Sequence, residues 1–162
     1  MTATIDQNLF TRPLLEIFAE TFETHYGIYL DKDTALFNTL TEISADEASQ
    51  PVGGQCATLA AQVAHIKFYL EVMEKDLLNQ PTGKVDWDEI WRSVNQVTPD
   101  EWRALRTGLE QAYRRIETLL RELPGWNNED TVGRAIAVVV HSAYHLGEIR
   151  QALCTLKPQR SG

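Results

Sequence analysis

Nearly every long segment of this 162-residue chain repeats its apolar residues at every third or fourth position, and no window sustains the alternation of a half-buried strand. Over residues 7–26 the repeat is Phe10, Leu14, Ile17 or Phe18, and Phe22. From about residue 55 to residue 78 it is Leu59, Val63, Ile66, Leu70, Met73 and Leu77, and over 98–123 it is Trp102, Leu105, Leu109, Ala112, Ile116 and Leu119. A last long helix is expected from Asp130 or Thr131 to about Leu156. Thr98-Pro99-Asp100-Glu101 supplies a cap, a proline at the first helical position and a capping-box glutamate. Gln50-Pro51-Val52-Gly53-Gly54, Gln80-Pro81-Thr82-Gly83, Pro124-Gly125 and Lys157-Pro158 interrupt the pattern. His25 followed by Gly27 reads as the end of the first helix, with the glycine as a left-handed cap. Short helices are expected over 34–43, and from an acidic cap at Asp86 through Trp91 to Val94. Four long helices, two short ones and no strand predict an all-α fold: a four-helix bundle with additional short helices, one domain over 1–162.

Composition then narrows the partners. The longest aliphatic run, Ala135 to Val140, is far short of the ~20 residues a membrane span needs. The first residues, Met-Thr-Ala-Thr-Ile-Asp, show neither a basic nor an apolar leader, so a soluble, cytoplasmic protein with no membrane contact is expected. Fifteen Lys and Arg against 23 Asp and Glu give a net charge of −8, with no concentrated basic face, which argues against a nucleic-acid partner. Cys56 and Cys154 have no metal or redox spacing and read as small buried apolar residues rather than thiol nucleophiles.

The chemistry concentrates on histidines. His141-Ser142-Ala143-Tyr144-His145 puts two imidazoles one turn apart on one helix face, the spacing that lets both meet one cation. They continue the apolar stripe through Ala135 and Val138 and so point inward, where imidazoles need hydrogen-bond partners or a metal. His65 lies mid-helix among Val63, Ile66 and Tyr69. The three together form a candidate site of the kind bundles build between facing helices, against the plainer reading of core histidines hydrogen-bonded in place. Three neutral imidazoles leave a divalent ion its full charge and suit Zn²⁺, Ni²⁺ or Fe²⁺. Ser142 stands where a zincin has its catalytic glutamate, which argues against that form of proteolysis.

Glu148 lies on nearly the same face as the pair. It is a candidate fourth ligand, orienting group or general base, the alternative being an ion pair with Arg150 or a neighbouring helix. Gln151, Tyr144 and Tyr69 flank the face, with packing or exposure as their simpler roles. Trp87, Trp91 and Trp102 read as an aromatic cluster clamping the short helix over one end of the bundle, or as the lining of a cleft.

These residues resemble a known family. Ala61-Gln62-Val63-Ala64-His65 in one long helix and His145-Leu146-Gly147-Glu148-Ile149-Arg150-Gln151 in the last are similar to motifs of the DinB-like superfamily of metal-binding four-helix proteins. Gly27-Ile28-Tyr29-Leu30, Asp86-Trp87, and Val97-Thr98 to Trp102 look like one branch of it. The resemblance covers nearly the whole chain. It implies one divalent metal on His65, His141 and His145, often in a homodimer. Related branches include enzymes that use a low-molecular-weight thiol, mycothiol or bacillithiol, as maleylpyruvate isomerases or thiol transferases. The expectation is a metal-dependent enzyme acting on a small-molecule substrate, of thiol transferase or hydrolase type, with metal activation of a thiol or water. The alternative is a non-catalytic, stress-associated metal-binding protein or dimeric scaffold.

Overall fold

Each amphipathic helix needs a partner for its apolar stripe, and in this chain the long helices cover one another. A computed structural model describes residues 6–53 and 56–157. These residues form seven helices and no strand: α1 (Gln7–Phe22), α2 (Leu36–Thr41), α3 (Ala45–Ala48), α4 (Leu59–Leu77), α5 (Glu89–Ser93), α6 (Pro99–Glu122) and α7 (Glu129–Leu156). Helices α1 and α4 each pack against both α6 and α7. Their stripes merge into one buried cluster that includes Phe18, Phe22, Ile66, Leu70, Leu109, Ile116, Val138 and Ile149. No helix among the described residues is long and apolar enough to cross a membrane.

One end of the core is aromatic. Tyr113 is fully buried with its ring centroid 4.8 Å from Phe22 and 4.9 Å from Phe18, and its hydroxyl donates to Glu23 Oε1 at 2.9 Å. Burial and that carboxylate push the Tyr113 phenol well above its ordinary range.

The capping box that opens α6 forms as expected. Glu101 N donates to Thr98 Oγ1 at 3.3 Å and Thr98 N to Glu101 Oε2 at 2.8 Å. A second box, Ser44 with Glu47, opens the short helix α3, which the apolar spacing did not reveal. The expected start of the second long helix near residue 55 lies outside the described residues, as do Gly54 and Pro158. As described, α4 begins at Leu59, where Ala61 N donates to Thr58 Oγ1.

The first helix is shorter than its sequence suggests. It ends at Phe22, not near Tyr26, and His25 is exposed beyond it. The cause is Glu20, a fully buried carboxylate that accepts from the backbone N–H groups of Gly27, Ile28 and Leu30. These bonds fold residues 23–30 back across the helix terminus. Gly27 does adopt a left-handed conformation, with φ +75°, but it serves this loop and not a helix cap.

Three further expectations are corrected. Trp102 does not join Trp87 and Trp91: it is buried where its Nε1 donates to Ile43 O at 2.8 Å, tying α6 to the α2–α3 link. The short helix is not capped by Asp86. Asp86 accepts from Asp88 N and pairs with Arg92, and α5 itself starts at Glu89. Cys56 and Cys154 are both exposed, Cys56 in the segment before α4 and Cys154 near the end of α7.

The Glu20 contacts set a stability prediction. Glu20→Ala strands three backbone donors, and urea unfolding is expected to show a loss of about 3 kcal/mol, against about 1 kcal/mol for the cap variant Thr98→Ala.

Candidate metal centre

The packing of α4 on α7 brings the three histidines together. His65 sits in the middle of α4, and His141 and His145 lie one turn apart on α7. His65 and His145 are buried and His141 is half-buried. One ring nitrogen from each lies within 4.8 Å of the other two, close enough for all three to bind one ion. The ring centroids are 5.1 Å apart for His65 and His141, 4.8 Å for His65 and His145, and 4.5 Å for His141 and His145.

Two of these rings carry a buried nitrogen with no hydrogen-bond partner, His65 Nδ1 and His141 Nε2. An unpaired buried polar atom costs roughly 1–3 kcal/mol, so two in one cluster form an unusual arrangement for a site with only a packing role. His145 differs. Its Nδ1 lies 2.6 Å from Gln62 Oε1 and 2.8 Å from Glu148 Oε2. Two oxygen acceptors on one ring nitrogen favour the tautomer with the proton on Nδ1, which leaves Nε2 with its lone pair.

Electrostatics keeps the cluster neutral. Burial, helped by the adjoining imidazoles, pushes His65 and His141 down to about 4. Burial also lowers His145, opposed by Glu148. At neutral pH the site is therefore three uncharged nitrogen donors, the protonation state a metal ligand requires. A donor set of three imidazoles, two of them with an unpartnered buried nitrogen, fits a borderline divalent cation.

Aromatic rings surround the donors. Tyr69 stacks on His141 with centroids 3.7 Å apart and an 18° interplanar angle. Trp91 stacks on His65 at 4.3 Å and 24°, and Trp87 packs against Phe68 and Tyr69. Trp87 and Trp91 thus do clamp the short helix to α4. Glu148 pairs with His145 and not with Arg150, whose guanidinium donates to Thr34 O at 3.3 Å. A hydrogen bond to Glu148 also raises the Tyr144 phenol above its ordinary value.

Gln62 was not singled out from the sequence, although its position three residues before His65 places it on the same helix face. Two cavities adjoin the cluster. One of about 460 Å³ is lined by Gln62, Tyr144, Glu148, Gln151 and Cys56, and one of about 420 Å³ by Cys56, Thr58, Trp91, Asn95 and Gln96. Neither is lined by an imidazole of the cluster. In comparisons with known proteins, no family model matches the chain, and no curated protein or solved structure matches it either.

The depressed imidazoles predict a pH response of the metal-free protein. The unfolded chain takes up protons near pH 6.5, whereas folded His65 and His141 resist them until about pH 4. Stability is complete above about pH 6.5 and falls as the pH drops towards 4. Urea midpoints at pH 7.5 and 4.5 should show this loss, reduced in a His65→Leu/His141→Leu variant.

Proposed function

We propose that the protein is a metal-dependent enzyme of the DinB-like kind, acting on a small-molecule substrate through a divalent ion on His65, His141 and His145. The observation that carries this reading is the pair of buried, unpartnered nitrogens, His65 Nδ1 and His141 Nε2, in a cluster where each of the three rings offers a nitrogen within 4.8 Å of the others. On this reading α1, α4, α6 and α7 make a four-helix bundle, and α5 closes over the site.

The roles of the protein groups follow from their contacts. His65, His141 and His145 hold the ion, with Zn²⁺, Ni²⁺ and Fe²⁺ all suited to the donor set. Gln62 and Glu148 fix the His145 ring and keep its proton on Nδ1. Glu148 also lines the larger cavity, where its carboxylate is the candidate group to take a proton from a thiol or water. A bound ion would supply the Lewis acidity that makes a thiol or water lose its proton near neutral pH. The low-molecular-weight thiol enters as the co-substrate class that the family resemblance suggests. A homodimer working in the cytoplasm without nucleic acid or membrane completes the reading. The net charge of −8 accords with the absence of a nucleic-acid partner.

A second reading, metal binding without turnover, is favoured by the absence of any imidazole from the two adjoining cavities. Cobalt-loaded protein separates the two. Added thiol should change the visible absorption of the ion if a coordination position is open, and leave it unchanged if the site is closed.

Two outcomes test the proposal. Protein purified without an affinity tag should carry about one divalent ion per chain by mass spectrometry, absent from His145→Ala, in line with a three-histidine donor set. Glu148→Gln should keep the site and weaken metal affinity about 10- to 100-fold in a competition titration, as loss of an orienting carboxylate does. Wild-type protein that carries no metal and takes up no zinc or nickel would contradict it.

A further inference from the structure

We propose that residues 86–93 form an aromatic lid over the histidine cluster, and that lid opening admits an uncharged small molecule to the imidazoles from the adjoining 420 Å³ cavity. The inference rests on the reading of the cluster as the functional centre and adds a route of entry and a ligand class to it.

Coverage is the first observation. Trp91 lies flat on His65 and its centroid is 6.2 Å from that of His145. Trp87 backs Tyr69, which in turn stacks on His141. The two rings with unpartnered nitrogens are therefore both faced by this segment, directly or through Tyr69.

Attachment is the second. No residue of α5 is buried. The ion pair that α5 makes, Arg92 with Asp86, lies within the segment and ties it to nothing else. The segment is pinned just beyond its C-terminal side, where Val97 N donates to Ser49 Oγ at 2.9 Å. On its N-terminal side Gly83 takes φ +63° with nothing within 4 Å of the position a Cβ would occupy. Between these points the segment is held by Trp91 stacked on His65, by Trp87 against Phe68 and Tyr69, and by half-buried Val94 against the core, a narrow apolar contact on which a unit can swing as one body.

The third observation is the partition. Trp91 belongs both to the wall of the 420 Å³ cavity and to the stack on His65, so its ring separates the two spaces. Withdrawal of that ring joins them. Among the described residues the cavity wall carries no charged side chain: hydroxyl, amide and thiol groups of Thr58, Asn95, Gln96 and Cys56 accompany the indole. A charged guest would leave its hydration for a wall with no counter-charge, whereas an uncharged one keeps hydrogen-bond partners and stacks on Trp91.

The test uses the full chain after chelation and reads histidine modification by peptide mass spectrometry, with exposed His25 as the internal reference. Diethyl pyrocarbonate should modify His65 at least tenfold more slowly than His25 in the wild type. Trp87→Ala, which removes a contact of the lid with α4 on Phe68 and Tyr69 and touches no imidazole, should speed His65 about threefold, within the range of an aromatic pair. Trp91→Ala should speed it about tenfold with His25 unchanged. Bromoacetamide should outpace bromoacetate at His65 by about fivefold more than it does at His25. Equal His65 rates in wild type and Trp87→Ala would overturn the lid, and equal reagent ratios at the two histidines would overturn the ligand class. Zinc stoichiometry on the same preparations reports separately on the metal centre, so its failure is distinguishable from failure of the lid.

Discussion

Three imidazoles set into an apolar seam between α4 and α7 impose a condition that the surrounding residues answer. The seam is lined with residues such as Ile66, Leu70, Val138 and Ile149, all fully buried, and it offers the rings little polar company. His145 is satisfied on one side by Gln62 and Glu148, but His65 and His141 each keep a nitrogen with no partner. A chain that needed only packing at these positions would be served by leucine at less cost in desolvation. Retaining three donors at mutual ligand distance, and neutral, is the arrangement that a cation repays.

The rest of the fold keeps that seam in place. Helix α7 supplies two of the donors and packs on α1 and α4, while α6 backs α4 from another side. Ion pairs across the outside hold the same helices in register, as between Arg115 and Glu74, and between Arg134 and Asp76. The short elements act locally. The Glu20 loop closes the end of α1, Trp102 ties α6 to the α2–α3 link, and α5 lays Trp91 over His65.

Much of this was legible in the residue order, for physical reasons that also explain the misses. Apolar spacing reports which face of a helix is buried, so the long helices and the inward direction of His65, His141 and His145 were readable. Thr98-Pro99-Asp100-Glu101 announced the start of α6 because a capping box is a local structure. The end of α1 was not readable, because it depends on a carboxylate at residue 20 collecting donors as far along as residue 30. Trp102 was misplaced for a related reason: proximity in sequence to Trp87 and Trp91 says nothing about which side of α6 the indole faces. The stacking of Trp91 on His65 and the contact of Gln62 with His145 arise between elements, where spacing carries no information.

The contrast between Glu20 and Glu148 shows how one side-chain type takes two roles. Glu20 is fully enclosed and spends its oxygens on backbone donors, which makes it a structural clamp. Glu148 is partly exposed, touches an imidazole and opens on a cavity. The central claim is that three histidines share one ion. Extended X-ray absorption spectroscopy of the zinc-loaded protein tests it most directly. The account predicts a shell containing three imidazole nitrogens at about 2.0–2.1 Å with light-atom ligands completing the coordination. A shell with one imidazole or none, or with sulfur in it, would contradict the account.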